Sequence, residues 1–526
     1  MNTMQRNYPV GIQTFSEIRE NNKVYIDKTD LVWKLTQMSK YVFLGRPRRF
    51  GKSLLTTTLE SYFEGRRDLF EGLKIMDLEQ QWKSYPVIHL DLSMAKNSDN
   101  VEMLRDSLKF ILQPYLELYS CNIEGLQPGK LLTEIIRKAS GNKQVVVLID
   151  EYDSPLLDVL HEEEQLPAFK KVMQEFYQPL KACERMIKFC FITGITKFSQ
   201  LSIFSTLNNI MNLSMHPDFA AICGITEREL VEDMAVDIAM LAQHEECSAD
   251  EMRHKLKLMY DGYHFSEKSE DIYNPYSLMN CFAQKRVKDY WFESGTSSFL
   301  FNQIQHFNTD ITNLNDITAS ESDFYLPTEA LDNALPLLYQ SGYLTIKGYD
   351  SESEAYQLGI PNKEVMVGLT RGLLPLYSGI RGDSVKLGCA FKLYKALNTG
   401  DIDQAMRELQ AFLAGVPYVD GFKKKLAGAA TREGFWEYTM CLIFSMMNVY
   451  VLTQVRCHGG RIDMAVFSAS TTYIFEFKLN GTAQSALNQI DANHYSDPFA
   501  TAPNPVVKVG VSFDLEQWNI KDWIVG

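Results

Sequence analysis

The fold of the N-terminal half is decided by residues 41–63, which have the sequence YVFLGRPRRFGKSLLTTTLESYF. Residues 41–44 predict a short apolar strand, and residues 54–63 have the pattern of a helix. The loop between them ends in Gly-Lys-Ser, and this order of elements is typical of a phosphate-binding loop. We expect N–H groups at the helix start to hold a β-phosphate, Lys52 to reach the β- and γ-phosphates, and Ser53 to bind Mg²⁺.

This loop departs from the strict motif, but a second strand supports the same chemistry. The motif expects its first glycine where the chain has Arg46, and Gly45 lies one residue early. Residues 143–151, KQVVVLIDE, predict a buried parallel strand that delivers Asp150 and Glu151 to the C-terminal edge of a sheet. Asp150 would hold Mg²⁺ through water, and Glu151 would polarise the attacking water.

A third predicted strand, residues 186–193, ends in Thr193, a candidate sensor of the γ-phosphate, and Lys197 is a second candidate. Gly-Lys-Ser alone also fits an ordinary helix cap, so the acidic strand is what favours a site for ATP and Mg²⁺. The predicted nucleotide-binding residues are Gly45, Arg46, Arg48, Arg49, Phe50, Gly51, Lys52, Ser53, Leu54, Asp150 and Thr193, with Glu151 as catalytic base and Ser53 and Asp150 as metal ligands.

A second group of charged residues lies near the C-terminus. Residues 463–467 and 472–478 predict two strands that are joined by a hairpin turn at residues 468–471. If the hairpin is symmetric about its turn, Asp463 lies opposite Glu476 on the same face, where two like charges destabilise a sheet. A hard divalent cation such as Mg²⁺ would compensate them.

The alternation of side chains along the second strand separates a polar face from an apolar one. Lys478 shares the face of Glu476, whereas Tyr473, Phe475 and Phe477 line the other face. An ammonium group beside a metal-bound water can stabilise the developing hydroxide and the charge of a phosphoryl group.

At these residues the chain resembles the PD-(D/E)xK phosphodiesterase superfamily, whose pattern is an Asp, a hairpin and then Glu-x-Lys. The resemblance implies an acidic residue on the preceding helix, Glu433 or alternatively Glu437, and a Gln on the following one, Gln489. Ile462 replaces the proline of the pattern, at a position that is loose in the superfamily. The implied catalytic residues are Asp463, Glu476, Lys478, Glu433 and Gln489, with Asp463 and Glu476 as metal ligands.

The N-terminal residues resemble an AAA-ATPase-like family that is commonly joined to a C-terminal PD-(D/E)xK domain. In that family an arginine replaces the first glycine of the loop, as Arg46 does here. The resemblance lies in residues 9–15, 24–29, 46–53, 148–153, 260–265, 273–276 and 290–296.

The resemblance and the patterns together predict an α/β protein with four parts. Residues 1–224 would be an AAA-like P-loop ATPase domain, and residues 225–365 a helical lid that could contain a winged helix, with a helix over residues 329–341 and a hairpin after it. Residues 366–425 would be a helical connector, and residues 426–526 an α/β domain like that of restriction endonucleases. The winged helix could bind DNA or serve as a structural relay.

Composition limits the classes of protein. The chain has 526 residues, enough for about three domains, and no apolar run approaches the ~18 residues of a membrane span. Its start lacks an apolar signal region, and its nine scattered Cys residues predict reduced thiols without a zinc site. We therefore expect a soluble, cytoplasmic protein without a membrane partner.

The net charge of −14 does not suggest a protein whose whole surface binds nucleic acid, because binding to phosphates depends on local Lys and Arg residues. Positive charge does gather near the second site, at residues 423–425, Arg456 and Arg461, although such a cluster also fits a solvated face.

Three functions fit these features. The first is an ATP-regulated, Mg²⁺-dependent nuclease whose partner is nucleic acid, with DNA expected. The second is an NTP-driven switch whose C-terminal fold binds nucleic acid without cutting, and the third is an interaction scaffold in which both sites are relics. Intact Lys52, Ser53, Asp150 and Glu151 argue against the third, and intact Asp463, Glu476 and Lys478 argue against the second. A homo-oligomer is left open.

Overall fold

The structure is a computed structural model, and its residues group into two compact units. The first unit lies within residues 1–307 and 317–364, and the second within residues 308–316 and 365–526. The structure describes residues 6–121, 125–157, 159, 162, 164–195, 209–292, 304, 307, 314, 317–325, 333–369, 392–393, 395–414, 440, 443, 450–468, 470–479, 481–500, 504–514 and 519–526.

The first unit is built on a parallel sheet of five strands in the order β2-β3-β4-β1-β5. The strands are β1 (Tyr41–Gly45), β2 (Val87–Asp91), β3 (Val145–Asp150), β4 (Ile187–Gly194) and β5 (Met211–Asn212). Every residue of β3 is buried, because a parallel strand is covered on both faces. The predicted α/β class and the three predicted strands are confirmed in this unit.

Within the described residues, seven α-helices accompany this sheet. They are α1 (Phe15–Glu20), α2 (Thr29–Met38), α3 (Lys52–Phe63), α4 (Val101–Leu118), α5 (Pro128–Ser140), α6 (Ser154–Leu157) and α7 (Leu166–Ala182). The apolar faces of α4, α5 and α7 pack on β2 and β3 in one core, to which Leu108, Ile135, Phe176 and Val147 belong.

The rest of the first unit contains helices and two small antiparallel sheets. The helices are α8 (Glu227–Asp233), α9 (Ala235–His244), α10 (Ala249–Tyr260), α11 (Pro275–Gln284) and α12 (Leu335–Gln340). Strands β6 (Ile225–Thr226) and β7 (Ile272–Tyr273) pair with each other. Strands β8 (Ile317–Ala319), β9 (Thr345–Asp350) and β10 (Ala355–Gly359) form a sheet in the order β8-β10-β9.

The predicted hairpin of this region is confirmed as β9 and β10, but the predicted helix over residues 329–341 was too long. Its described part is α12, which begins at Leu335 because the Asn333 side chain accepts the N–H of that residue, 2.9 Å away. Residues 326–332 lie outside the described residues. Strand β8 was not predicted, and the winged helix stays a prediction.

The second unit has a five-stranded sheet in the order β11-β12-β13-β14-β15. Its strands are β11 (Tyr450–Cys457), β12 (Gly460–Phe467), β13 (Thr472–Lys478), β14 (Val506–Asp514) and β15 (Asn519–Val525), and only the β13–β14 pair among these is parallel. Helix α13 (Ile402–Ala414) packs on one face, in the core that contains Phe475. Helix α14 (Ala483–Ala492) connects β13 to β14 and covers the other face.

Within the described parts of the chain, no helix is long and apolar enough to cross a membrane.

Candidate active sites

The loop between β1 and α3, residues 46–51, is the candidate phosphate loop. It ends at Gly51, which has a φ of +89° and is the N-cap of α3. A glycine adopts this left-handed conformation without steric cost, so the chain can turn directly into the helix. The first N–H groups of α3 have no partners within the helix and are available to an anion.

Lys52 lies inside this loop and is bound by its carbonyl groups. The ammonium group donates to the carbonyl oxygens of Arg46 at 3.0 Å and Pro47 at 3.1 Å. Burial lowers the pKa of Lys52, while the charges of Asp150 and Glu151 act in the opposite direction. The loop therefore holds a cation where phosphate oxygens could replace two carbonyl groups.

Acidic groups meet beside Lys52 at the C-terminal edge of the parallel sheet. Asp150 is buried, pairs in register with Asp91 of β2, and is hydrogen-bonded by the Ser53 hydroxyl. Burial raises the pKa of Asp150, and the hydrogen bond from Ser53 and the charge of Lys52 moderate this rise. Glu151 has a φ of +48°, a left-handed conformation that is uncommon outside glycine and is found at functional sites.

A cavity of about 570 Å³ opens onto the loop and falls in the usual size range of small-molecule sites. At the edge of this cavity, the Arg49 guanidinium lies over the ring of Tyr276, 4.0 Å from its centroid, in a cation–π contact. Residues 9–13, 24–26, 48–55, 222–225 and 275–276 line the cavity together with Glu151, Met279 and Asn280. The cavity thus gathers predicted residues Arg48, Arg49, Phe50, Gly51, Lys52, Ser53, Leu54 and Glu151.

Gly45 and Arg46 were also predicted to contact the nucleotide, and in the structure the N–H of one and the side chain of the other are engaged elsewhere. The N–H of Gly45 donates to the Ser214 hydroxyl at 2.8 Å. The guanidinium of Arg46 is buried and donates to the carbonyls of Ser214 at 2.7 Å and Phe219 at 2.9 Å. Since both residues face away from the cavity, Arg46 anchors the loop from behind.

Thr193 is also turned away from a sensing role. It is 0% exposed, and its hydroxyl donates to the carbonyl of Leu44 inside the sheet at 2.7 Å. In this structure the hydroxyl of Thr193 therefore forms a hydrogen bond between β4 and β1, and its role as a sensor stays a prediction. Lys197 lies outside the described residues.

The hairpin of the second unit has the register that its turn predicts. The pairs run from Phe467 with Thr472 to Met464 with Phe475, and this register leads to Asp463 and Glu476 as the next pair. Regular pairing ends before them. The Asp463 carboxylate instead accepts the N–H of Phe477 at 2.8 Å.

The alternation of side chains along β12 changes at Asp463, which was not predicted. In a regular strand Ile462 and Met464 share a face, but Ile462 packs with Ile474 under α14, while Met464 belongs to the core on the opposite face. The alternation is therefore interrupted at Asp463. The Asp463 carboxylate nevertheless reaches β13, where it bonds the N–H of Phe477 and lies close enough to Glu476 to raise its pKa.

Glu476 is the most deeply buried charged group of this site. It is 2% exposed, and its Oε1 accepts a hydrogen bond from Lys478 at 3.2 Å. Among the described residues, its Oε2 has no hydrogen-bond partner. Burial and the neighbouring Asp463 raise the pKa of Glu476 to about 7. A buried carboxylate oxygen without a partner is costly, and a bound cation would offset that cost.

The structure describes only some of the other residues predicted for this site. Glu433 and Glu437 lie outside the described residues, and in the described part of the chain no group of three His, Cys, Asp or Glu side chains is arranged to hold a metal. Gln489 is half-buried on α14. Tyr473, Phe475 and Phe477 line the apolar core, as predicted.

Sequence reasoning missed Asp91, the acid that ends β2 beside Asp150. The signal was present, because residues 87–91, VIHLD, are mostly apolar and end in an acid as β3 does.

Comparisons with known proteins agree with this arrangement of two sites. The family described as predicted AAA-ATPase matches residues 9–204, and the PD-(D/E)XK nuclease superfamily matches residues 431–523. The chain is also 29% identical, over 99% of both chains, to a protein of Azotobacter chroococcum mcd 1 described as an uncharacterized protein in the vnfD 5' region. The chain therefore carries two matched domains, an AAA-ATPase-like domain over residues 9–204 and a domain of the PD-(D/E)XK nuclease superfamily over residues 431–523.

Proposed function

We propose that the protein hydrolyses ATP in the first unit and cuts the phosphodiester backbone of nucleic acid, with DNA as the expected substrate, in the second. The ATPase half rests on one observation: Lys52 and Ser53 open α3 directly beside Asp150, at the mouth of a cavity. The nuclease half rests on the buried Oε2 of Glu476, which has no partner in the described part of the chain.

In the first unit, the residues around the loop would bind the phosphates of ATP. The ammonium group of Lys52 would exchange its two carbonyl partners for phosphate oxygens, since phosphate is charged and the carbonyls are not. Ser53 and Asp150 offer hydroxyl and carboxylate oxygens that fit Mg²⁺, which would neutralise charge on the phosphates. Glu151, at the edge of the cavity, would orient the attacking water and accept its proton.

In the second unit, Asp463 and Glu476 would hold a divalent cation through carboxylate oxygens, the ligands that Mg²⁺ prefers. Such an ion would lower the pKa of a bound water and neutralise the scissile phosphate. Lys478 already donates to Glu476 and would orient the attacking water from that position. Glu433 remains the proposed additional acid and Gln489 a proposed positioning group.

The ATPase proposal is tested by two substitutions at different steps. Lys52→Ala should abolish nucleotide binding or turnover, whereas Lys34→Ala, which removes a surface lysine paired with Asp218, should leave both unchanged. Glu151→Gln should still bind ATP but hydrolyse it about 10²–10⁴-fold more slowly, the usual contribution of a general base. Turnover of Glu151→Gln at the wild-type rate would show that another group is the base.

The nuclease proposal is tested with supercoiled, linear and single-stranded DNA, with and without ATP and Mg²⁺ or Mn²⁺. Asp463→Ala and Lys478→Ala should each abolish cutting and leave ATP hydrolysis intact. Lys508→Ala is the matched control, because this lysine of β14 pairs with Asp491 and not with the site. If the wild-type protein binds every DNA and RNA form but cuts none, a switch that does not cut becomes the better function.

A further inference from the structure

Three segments of the first unit, which contain Tyr263, Ser277 and the pair Tyr290 and Trp291, come close to one buried carboxylate. Glu364 is 0% exposed, and its Oε1 accepts the N–H groups of Tyr290 at 2.7 Å and Trp291 at 3.0 Å. Tyr263 and Ser277 lie close to this carboxylate, whose Oε2 has no hydrogen-bond partner among the described residues, so all three segments adjoin Glu364. Burying a carboxylate is costly unless it is hydrogen-bonded, which indicates that these contacts hold the segments in place.

One of these segments reaches the candidate phosphate loop directly. The indole N–H of Trp291 donates to the carbonyl of Arg48 at 3.4 Å. The ring of Trp291 also packs against that of Tyr343, with centroids 5.0 Å apart. Gly342, the residue before Tyr343, approaches Pro47 closely: a Cβ added to this glycine would lie 2.7 Å from the Cβ of Pro47. Glu364 thus fixes the backbone of a residue that holds the loop.

A second segment packs on the same loop. The Phe50 ring meets Tyr263 edge to face with centroids 4.7 Å apart and Phe265 at 5.2 Å. The Arg46 guanidinium lies 4.3 Å above the Phe265 ring. The loop is therefore packed against Phe265 and against Tyr263, the residue that also lies close to Glu364.

We infer that Glu364 is a positioning residue for the candidate phosphate loop: by fixing Tyr290 and Trp291 it keeps the loop in the conformation that binds phosphate. This inference rests on the proposed ATP binding. A loop that is competent for only a fraction of the time has an apparent Kd raised by the inverse of that fraction. Once phosphate is bound it holds the loop itself, so the loss of Glu364 should weaken binding more than turnover.

The test compares nucleotide affinity and turnover in the full-length protein. Titration with a fluorescent ATP analogue gives Kd, and phosphate release gives kcat and KM. Glu364→Ala removes the oxygen that accepts two buried N–H groups and should raise Kd and KM about tenfold or more, with kcat within about twofold. Glu364→Gln keeps an acceptor oxygen for both N–H groups, so it should restore Kd to within about threefold of the wild type.

Asp261→Asn is the matched control. Like Glu364, Asp261 is a buried acid of the first unit with one oxygen that lacks a hydrogen-bond partner among the described residues. The N–H groups of Tyr290 and Trp291 donate to Glu364 and not to Asp261. Its substitution should leave Kd unchanged. If Kd rises equally in Asp261→Asn and Glu364→Ala, the cause is general destabilisation of the first unit, and the inference is wrong.

The outcomes separate this inference from the function on which it rests. If the wild-type protein binds no ATP analogue, the proposed ATP site is wrong and the inference falls with it. If the wild type binds and a folded Glu364→Ala variant binds equally tightly, the inference alone is wrong. Should Glu364→Ala fail to fold, Trp291→Phe is the second test. It removes the indole N–H that bonds Arg48 and keeps an aromatic ring beside Tyr343. We expect Kd to rise about threefold, and an unchanged Kd would overturn the inference.

Discussion

Replacing Glu364 by Gln should make the first unit more stable at pH 8 and change its stability much less at pH 5. Burial raises the pKa of Glu364 from 4.5 to about 7. The hydrogen bonds from the N–H groups of Trp291 and Tyr290 lower this pKa and so limit the rise. A carboxyl whose pKa is higher in the folded state than in the unfolded state stabilises the protein most when it is protonated, below its unfolded pKa. This contribution to the free energy of unfolding is lost as pH rises through the folded pKa. The wild type therefore loses stability between pH 4.5 and 7.

The size of this loss follows from the shift. One pKa unit corresponds to about 1.36 kcal/mol, so the full effect is about 3 kcal/mol, most of it above pH 5. Tyr260, Tyr263 and Cys281 also face the carboxyl, but burial raises the pKa of each, so they stay neutral in this range. Asp289 is the remaining neighbour, and its negative charge adds to the rise in the pKa of Glu364. A glutamine is neutral at every pH and removes the loss.

The assay is urea unfolding of the full-length chain at pH 5, 6, 7 and 8. Hydrogen exchange in residues 260–292 reports the first unit alone. We expect the difference in unfolding free energy between Glu364→Gln and the wild type to grow by about 2 kcal/mol from pH 5 to pH 8. Glu232→Gln, at an exposed position of α8, should show a difference that does not vary with pH. A flat difference for Glu364→Gln would refute the reasoning, because the carboxyl would then not resist ionisation in the folded state.

Three further predictions concern the sheet, the helix contact and the metal. Thr193→Val removes the hydroxyl that bonds Leu44 and should cost about 1 kcal/mol in urea unfolding while leaving ATP turnover unchanged; a large loss of turnover would restore the sensor role. Gly510→Ala would place a Cβ 2.3 Å from the carbonyl oxygen of Ala483 and should destabilise the second unit by about 1–3 kcal/mol. Gly348→Ala, whose nearest neighbour is 3.8 Å away, is its control and should change little. EDTA should stop both reactions, and added Mg²⁺ should restore them; cutting that persists in EDTA would exclude the metal site.

Several elements of both sites were predictable because their causes are local. The apolar run of β1, the Gly-Lys-Ser end of the loop and the start of α3 follow one another in the chain, so their order specifies the turn. The register of β12 and β13 follows from a short turn, since side chains alternate with a period of two and a slip would bury polar groups. The same alternation predicted the apolar face of Phe475 and Phe477.

What only the tertiary structure decided are the roles that depend on distant partners. Arg46 occupies a motif position, but its guanidinium is engaged by carbonyls of residues 214 and 219, far along the chain. Glu364 has no motif of its own, and its importance comes from two N–H groups more than seventy residues earlier. A pattern in sequence determines which face a side chain takes within its own element. Which backbone group from another element meets it there depends on how the elements pack, and packing is settled only when the whole core is buried.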